Sequence, residues 1–221
     1  SLDSLKASRF ETLTRRAALD DVIGGIEAAA AVGFEGLKIN TVVMRDFNDD
    51  ELVDMLEFGR RVGAEVRFIE YMDVGGATQW SHERVVSRQE ILDQLAAHFG
   101  PIAEVGTRGH APAERFVLPT GQSLGIISST TQPFCRDCDR SRLTADGFWF
   151  LCLYAAEGID LRQQVRRGAS SEELSQLITD VWCRRTDRGA EQRAELEQRG
   201  ALFQIEELRQ DPRREMHTRG G

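Results

Sequence analysis

The sequence lacks several features that would each indicate a large class of proteins. None of its apolar runs approaches the roughly eighteen residues that cross a bilayer, and its first residues, SLDSLKASRF, lack the basic and then apolar pattern of a signal peptide. Positive charge is not in excess, because 28 Lys and Arg against 36 Asp and Glu give a formal net charge of -8. General binders of nucleic acid or anionic membranes need a cationic surface. We therefore expect a soluble, cytoplasmic protein that binds neither nucleic acid nor membranes.

Cysteine is scarce, and its distribution is uneven. Three of the four cysteines lie within the stretch FCRDCDRSRLTADGFWFLC, at Cys135, Cys138 and Cys152. In a reducing compartment, such a group is more typical of metal-binding or catalytic cysteines than of disulfides. The fourth, Cys183, lies in a helical pattern, where we expect it to be a small buried apolar residue. The three clustered thiols are therefore candidate ligands.

Hydrophobic periodicity predicts alternating helices and strands in the first hundred residues. The stretch LDDVIGGIEAAAAVGF is typical of a helix with Asp20 or Asp21 as its N-cap and Gly33 at its end, and GLKINTVVM is typical of a buried strand. FNDDELVDMLEFGRRVG and AEVRFIEYM repeat this order, which predicts parallel strands in an α/β barrel or open sheet. Ligand sites lie at the carboxyl ends of such strands, so position alone favours Met72 over Lys38.

The pattern changes after SRQEILDQLAAHFG, which predicts one more amphipathic helix. The short runs IAEVG, ERFVL and SLGIIS are strand-like, and helices return from DLRQQVRRGASSEELSQLITDVWCRR onward. We therefore predict two domains, residues 1–100 and residues 101–221. The stretch from Arg184 to Arg199 carries many charges of both signs, which is typical of a solvated helix face.

A hairpin is predicted between the second and third clustered cysteines. Asp146 and Gly147, flanked by β-forming residues, are typical of a two-residue type I′ turn. Such a turn would set Cys152 opposite Ser141 and return it to the neighbourhood of Cys138. The three thiols would then converge on one point.

Spacing alone leaves open what the three thiols hold. Structural zinc takes four closed ligands, whereas a [4Fe-4S] cluster with three thiolates keeps one iron open to a substrate atom. Arg140 and Arg142 lie two apart, on one face of their predicted strand, and their guanidinium groups suit phosphate oxygens. This pair favours a cluster beside a phosphate-bearing ligand over a zinc-stapled hairpin. The residues that could supply a fourth zinc ligand have no paired ligand spacing: Cys183, His82, His98, His110 and His217.

The stretch PFCRDCDRSRLTADGFWFLCLY resembles the auxiliary-cluster motif of the GTP 3′,8-cyclases of molybdenum cofactor biosynthesis, which are radical S-adenosylmethionine (SAM) lyases. SLDSL, LKINTVVMRDFNDDE, VRFIEYM and MHTRGG resemble further segments in the family's order, so the resemblance covers essentially the whole chain. It implies the C-terminal part of a radical-SAM-type (β/α) barrel over residues 1–100. A smaller α+β domain over residues 101–221 would hold an auxiliary [4Fe-4S] cluster and GTP.

The resemblance also implies roles for individual residues. The auxiliary cluster would be held by Cys135, Cys138 and Cys152. The other implied roles are contacts to GTP by Lys38, Arg140, Ser141 and Arg142, contacts to SAM by Ser1 and Met72, and a C-terminal tail, Gly220 and Gly221, that reaches into the active site. Before this tail, Arg219 stands where the family usually has an apolar residue.

The sequence departs from the family in its first cluster. The cluster that cleaves SAM is held by a CxxxCxxC motif, which this sequence does not contain. The resemblance therefore implies that the chain is the C-terminal two-thirds of the enzyme and that the second [4Fe-4S] cluster belongs to a missing N-terminal segment. The opening on Ser1 fits a fragment or a processed chain. Alone, the chain is expected to be inactive in converting GTP to (8S)-3′,8-cyclo-7,8-dihydroguanosine 5′-triphosphate.

GTP is the expected partner, and the cyclic pyranopterin monophosphate synthase would act next in the pathway. Whether the chain forms a homodimer is left open. Two alternative functions also stay open. A radical SAM peptide-maturing enzyme with an auxiliary cluster would share the three-thiolate ligation, and a zinc-stapled binding module would have no enzymatic activity.

Overall fold

A computed structural model of the protein describes residues 1–106 and 109–219, which divide into two compact units. Unit 1 comprises Ser1–Tyr71 and Glu83–Gln132. Unit 2 comprises Met72–His82 and the described residues from Pro133 onward. In the described ranges, no helix has the length and apolarity needed to cross a membrane.

Unit 1 alternates helices and strands and ends in antiparallel strands. Its five strands form one sheet in the order β1-β2-β5-β4-β3. β1 pairs parallel with β2 and β2 parallel with β5, whereas β4 is antiparallel to both β5 and β3. The predicted α/β class with parallel neighbouring strands is confirmed. The elements are α1 (Ala7–Thr14), α2 (Leu19–Val32), β1 (Lys38–Val43), α3 (Leu52–Val62), β2 (Glu65–Glu70), α4 (Arg88–Phe99), β3 (Ala103–Glu104), β4 (Glu114–Val117) and β5 (Ser123–Ile127).

The sheet of unit 1 crosses the predicted domain boundary at residue 100. β5 adds parallel to β2, with Ile126 opposite Phe68, and brings β4 and β3 into the same sheet. The compact units separate after Gln132 instead. Local periodicity predicts where a strand lies but not which strand it pairs with, and the boundary at residue 100 was wrong for this reason.

Two helices of unit 1 end where the sequence predicts. Gly33 and Gly63 follow α2 and α3 with φ of 84° and 68°, a left-handed conformation that glycine adopts without a Cβ clash. The predicted N-cap at Asp20 or Asp21 is wrong, because Leu19 is already helical. Both carboxylates instead lie in the first turn of α2, where the helix dipole favours negative charge.

One face of the sheet builds the core of unit 1. Ile39 and Val43 of β1 and Val66 of β2 are buried in one apolar cluster with residues of α3 and α4. Side chains alternate along a strand, so Lys38 is exposed on the other face. Gly59 lets α3 approach β2 closely, because a Cβ at this position would lie 2.5 Å from Cγ2 of Val66.

Glu70, the last residue of β2, is a fully buried carboxylate. It accepts hydrogen bonds from the backbone N–H groups of Arg88, Thr130 and Thr131 at 2.8, 2.9 and 2.7 Å. The Thr131 hydroxyl donates a fourth bond at 2.5 Å. These bonds tie the start of α4 and the chain after β5 to the carboxyl end of β2.

Unit 2 is built on a smaller, antiparallel sheet. Its three strands pair in the order β6-β7-β8. Short 3-10 turns include Cys135–Asp137, Pro212–Arg214 and Met216–Arg219. The elements are β6 (Arg142–Leu143), β7 (Phe148–Phe150), β8 (Ile159–Asp160), α5 (Leu161–Arg166), α6 (Ser171–Cys183), α7 (Gly189–Ala194) and α8 (Ile205–Gln210).

A buried ion cluster joins the first segment of unit 2 to α7 and to residues outside the helices. The Asp73 carboxylate is 0% exposed and lies 2.6 Å from Nη2 of Arg193 and 2.7 Å from Nη2 of Arg199. The Tyr154 hydroxyl donates to Asp73 at 3.0 Å, and the Arg199 guanidinium lies over the Trp80 ring at 5.0 Å. The prediction of a solvated face is therefore wrong for Arg193 and Arg199, whose side chains are 19% and 6% exposed.

Replacing Glu70 by Gln is expected to lower the free energy of unfolding by about 2–3 kcal/mol. The neutral amide loses charge-assisted hydrogen bonds and turns a donor toward backbone donors. Denaturant unfolding at neutral pH measures this loss. Glu83→Gln, at an exposed position of the same unit, is the control and should change stability by less than about 0.5 kcal/mol. Equal stability of the two variants would contradict the role assigned to Glu70.

Asp73→Asn is expected to destabilise unit 2 by about 3–5 kcal/mol, because two buried guanidinium groups lose their counter-charge. In the parent protein, burial acts to raise the pKa of Asp73, but Arg199 and Arg193 outweigh it and lower this pKa below the ordinary 3.8. A carboxyl group with a lowered pKa contributes stability above pH 3.8, and that contribution is lost as the pH falls through the folded-state pKa.

Thermal unfolding between pH 7 and pH 2 checks both statements about Asp73. The parent protein should lose more stability on acidification than Asp73→Asn does. Glu157→Gln, at an exposed position of unit 2, should follow the parent protein. An identical acid loss in the parent protein and Asp73→Asn would contradict the lowered pKa.

Candidate functional site

The hairpin between β6 and β7 has a loop one residue longer than predicted. Leu143 pairs with Trp149, and the Thr144 N–H donates to the carbonyl of Phe148 at 2.9 Å, which leaves residues 145–147 as the loop. A type I′ turn needs two residues with positive φ, but of the loop residues only Gly147, at 86°, has one. The predicted two-residue turn is wrong, and a three-residue loop with glycine at its left-handed position takes its place.

The longer loop shifts the hairpin register by one residue. Arg142 pairs with Phe150, and the two strands separate beyond this pair. The predicted pairing of Cys152 with Ser141 is therefore wrong. Cys152 nevertheless lies near Cys135, since its charge helps to raise the pKa of Cys135, after burial as the main cause. The return of Cys152 to the neighbourhood of Cys138 stays a prediction.

Cys135, Cys138 and Cys152 are half-buried free thiols that share one region of unit 2. Arg142 lies close enough to interact with the charges of both Cys138 and Cys152. Within residues 1–106 and 109–219, no three His, Cys, Asp or Glu side chains are arranged to hold a single metal ion. All three cysteines are free and half-buried, so their thiols are available as ligands.

The thiol of Cys135 receives hydrogen bonds from the backbone. Burial raises the pKa of Cys135, and the N–H groups of Glu191 and Ala190, which point at its sulfur, partly oppose this rise. These two residues lie in the first turn of α7, a helix that the sequence motifs do not connect with the cysteines. Backbone donors carry no residue signature, so no sequence pattern could have identified them.

The thiol of Cys138 lies between two guanidinium groups. Nη2 of Arg140 lies 3.5 Å from its sulfur and Nη2 of Arg185 lies 3.7 Å away. Burial acts to raise the pKa of Cys138, but the Arg140 backbone N–H and both guanidinium groups together lower it. A lower pKa favours the thiolate, which is the form that binds metal. The sequence does not single out Arg185, because it lies in the charged stretch after α6.

Arg140 and Arg142, the predicted phosphate-binding pair, lie together beside the cysteines. The Arg140 guanidinium lies over the Phe134 ring at 4.8 Å, and its buried Nε has no hydrogen-bond partner among the described residues. Burial, followed by repulsion from Arg140, lowers the pKa of Arg142. Ser141 between them is exposed. The pair therefore presents positive charge and at least one unused donor, which suits an anionic ligand.

The other predicted site residues divide between the units. Met72 is half-buried in unit 2 and directly precedes Asp73 of the buried ion cluster. Ser1 and Lys38 belong to unit 1. Ser1 precedes Leu2, whose N–H donates to the carbonyl of Asn40 on β1 at 2.9 Å. Lys38 is exposed at the first position of β1. The predicted tail residues, Gly220 and Gly221, lie outside the described residues.

Arg219, the last described residue, is a buried anchor rather than a surface charge. Only 2% of it is exposed, and its guanidinium lies over the Phe150 ring at 4.0 Å. Nη1 donates to the carbonyls of Leu153 and Ala155, both at 2.9 Å, and Nε donates to the carbonyl of Arg213 at 2.5 Å. The carbonyls and the ring accommodate an arginine where the resemblance leads one to expect an apolar side chain.

Cys183 is exposed at the end of α6, so the prediction that it is buried is wrong. Its helix presents this position to solvent, whereas the preceding Trp182 stacks on Trp149 of β7 at 6.3 Å. A helical pattern of short length does not decide which of two adjacent residues faces the core. The exposure separates Cys183 from the three half-buried cysteines.

Comparison with known proteins identifies relatives over the whole chain. A family model described as Molybdenum Cofactor Synthesis C matches residues 64–191, more than half of the chain. A protein from Mycobacterium tuberculosis (strain ATCC 25618 / H37Rv) named GTP 3′,8-cyclase 1 is 53% identical over 100% of this chain and 62% of its own length. A Mycobacterium bovis protein named GTP 3′,8-cyclase 3 is also 53% identical, over 100% of this chain and 58% of its own length.

More distant relatives carry the same name. A GTP 3′,8-cyclase from Acidothermus cellulolyticus is 42% identical over 88% of this chain and 55% of its own length. The chain thus spans about three-fifths of the length of the mycobacterial relatives that it matches. The resemblance that the sequence motifs indicated is confirmed, and the chain belongs to the Molybdenum Cofactor Synthesis C family.

Proposed function

We propose that this chain forms the GTP-binding part of a GTP 3′,8-cyclase, a radical SAM lyase of molybdenum cofactor biosynthesis. The observation that carries the proposal is the grouping of three free thiols with Arg140 and Arg142 in unit 2. Similarity over the whole of this chain to a protein named GTP 3′,8-cyclase 1, and over 88% of it to one named GTP 3′,8-cyclase, supports the proposal. The complete enzyme would convert GTP to (8S)-3′,8-cyclo-7,8-dihydroguanosine 5′-triphosphate in the cytoplasm.

The three thiols fit an auxiliary [4Fe-4S] cluster, with Cys135, Cys138 and Cys152 as its ligands. When bound, a cluster with three protein ligands offers one iron to a substrate atom. The N–H and guanidinium donors around Cys135 and Cys138 support this fit, because they stabilise thiolate charge in a half-buried place. A second, SAM-cleaving [4Fe-4S] cluster would need ligands from outside this chain, since Cys183 is its one remaining cysteine.

The residues of this chain would mainly bind and orient the substrate. Arg140 and Arg142 would hold phosphate oxygens through their guanidinium groups, and the Ser141 backbone would lie between them. Lys38 would add an ammonium group to the phosphates. Holding the nucleotide in one geometry lowers the entropic part of the reaction barrier.

The remaining roles concern SAM and the tail. Ser1 and Met72 would contact SAM, and Gly220 and Gly221 would enter the active site, where residues without a Cβ fit a narrow space. Unit 1, with its parallel β1, β2 and β5, would be part of the radical-SAM-type (β/α) barrel. Unit 2 would be the auxiliary-cluster domain.

Alanine substitution of Cys135, Cys138 or Cys152 is expected to abolish cluster loading, because each removes a thiolate ligand. Cys183→Ala should load like the parent protein, since its thiol is exposed and apart from the others. Iron and acid-labile sulfide per chain after anaerobic reconstitution, with the visible spectrum, provide the measurement. Zinc without sulfide in the parent protein would overturn the cluster, and loss of iron in Cys183→Ala alone would overturn the ligand assignment.

The reconstituted chain is expected to bind GTP, and the double variant Arg140→Ala/Arg142→Ala should lose most of this affinity. Each charged contact contributes about 1.5–3 kcal/mol, which is roughly tenfold or more in Kd. Calorimetry with GTP measures the change. Arg136→Ala, at an exposed position in the same loop, is the matched control and should bind GTP as the parent protein does. Unchanged GTP affinity in the double variant would contradict the roles of the pair.

A further inference from the structure

A short segment of unit 2, residues 185–191, contacts all three clustered thiols, and we name it the donor segment. At its first residue, Arg185 contacts Cys138 twice. Nη1 donates to the Cys138 carbonyl at 2.9 Å, and Nη2 lies 3.7 Å from the Cys138 sulfur. One guanidinium therefore binds both the backbone and the thiol of the same residue.

The rest of the donor segment contacts the other two thiols. The N–H groups of Ala190 and Glu191 donate to the sulfur of Cys135. Gly189 lies against Cys152, because a Cβ added at Gly189 would be 3.1 Å from the Cys152 sulfur. Contacts to three cysteines that are far apart in sequence from this segment indicate that it forms one wall of the site.

The Arg185 side chain is held in place from several sides. It is 10% exposed, and its guanidinium lies over the Trp182 ring at 4.8 Å. Trp182 in turn stacks on Trp149 of β7 at 6.3 Å, with the ring planes 20° apart. Asp187 lies 3.8 Å from Nε of Arg185. Arg184, the neighbouring residue, is exposed. Arg185 is thus preorganised toward Cys138, whereas Arg184 is an ordinary surface charge.

We propose that the donor segment positions the three thiolates and that Arg185 raises the reduction potential of the auxiliary cluster. The inference rests on the proposed function, since it needs the three cysteines to hold that cluster. Reduction adds one negative charge to a cluster and its sulfur ligands, and nearby positive groups and N–H donors stabilise that charge. Arg185 is therefore a positioning residue that acts through Cys138.

Arg185 also provides a second guanidinium group for the Cys138 thiolate, so that Arg140 is not needed for both the thiolate and a phosphate. Arg140 contacts the Cys138 sulfur, and the proposed function requires the same side chain to bind phosphate. Because Arg185 supplies a second guanidinium to Cys138, Arg140 can engage a phosphate group while the thiolate keeps a donor. Arg140 and Arg185 can therefore serve the phosphate and the thiolate at the same time.

The test compares Arg185→Gln, Arg185→Lys and the surface control Arg184→Gln in the reconstituted chain. Iron and sulfide per chain report loading, and a redox titration followed by electron paramagnetic resonance reports the midpoint potential. Arg185→Gln should lower the equilibrium constant for reduction about tenfold, which is about 59 mV for a one-electron couple. Arg185→Lys should recover part of this shift, and Arg184→Gln should match the parent protein.

Each outcome separates this inference from the proposed function. A parent chain that loads no cluster overturns the proposed function. A loaded parent chain whose midpoint potential is unchanged in Arg185→Gln overturns the role of Arg185 alone. If Arg185→Gln binds no iron, the midpoint potential is measured in Arg185→Lys instead. An equal midpoint potential and equal iron content in Arg185→Lys and the parent protein would then contradict a role for the two contacts that the Arg185 guanidinium makes with Cys138.

A second variant tests the packing of the donor segment. A Cβ at Gly189 would lie 2.4 Å from Cβ of Tyr154, so Gly189→Ala must move the segment away from the cysteines. We expect less iron and sulfide per chain than in Gly200→Ala, whose added Cβ meets no atom within 4 Å. Equal loading and equal resonance spectra in the two variants would show that the segment does not position the thiolates.

Discussion

Buried negative charge is the constraint on which both units depend. A carboxylate removed from water is costly unless donors surround it, and each unit surrounds one in a different way. At the end of a parallel strand, the Glu70 carboxylate accepts hydrogen bonds from backbone N–H groups and a hydroxyl. Asp73 is neutralised by two guanidinium groups and a phenol from distant parts of the chain. Glu70 is thus held mainly by backbone N–H groups and Asp73 by long side chains, although the donors to both carboxylates come from distant parts of the sequence.

The same constraint governs the cysteines. A metal-binding thiolate is an anion in a half-buried place, and unit 2 gives each thiol a different neighbour. Cys135 receives backbone N–H groups, Cys138 receives two guanidinium groups, and Cys152 lies against a glycine. Because the three sulfurs have different hydrogen-bond donors, their electrostatic surroundings differ. The cluster that they are proposed to hold would therefore experience a different electrostatic potential at each ligand. Such a field can tune a redox centre without changing its ligands.

Structural features that depend on residues close together in the sequence could be predicted. The parallel α/β pattern, the glycines that end two helices and the grouping of three cysteines with Arg140 and Arg142 depend on short spacing. Register was harder to predict, because Asp146 and Gly147 suit both a two-residue and a three-residue loop, and only the φ angles distinguish them. The domain boundary depended on the pairing of β5 with β2, which no local pattern specifies.

Long-range partners were beyond the reach of the sequence. In a stretch of mixed charge, Arg184 and Arg185 are identical in type and adjacent, yet one is exposed and the other contacts a cysteine. Arg193 and Arg199 likewise resemble surface residues until Asp73 is brought between them. Charge composition predicts that a segment can face solvent. Only the fold determines which of its charged side chains are buried.

Arg219 shows how a buried positive charge can be tolerated when carbonyl groups and an aromatic ring supply its nearest described contacts and a carboxylate, Asp211, acts on it only through space. Three carbonyl oxygens and the face of Phe150 replace part of its hydration, but its Nη2 has no hydrogen-bond partner among the described residues. Burial, and then repulsion from Arg142, lower the pKa of Arg219. Arg142 is in turn repelled by Arg140 and Arg185, so the guanidinium groups of Arg140, Arg142, Arg185 and Arg219 share one region of unit 2. An anion bound there would relieve these repulsions together, and for this reason a polyphosphate suits the region better than a single carboxylate does.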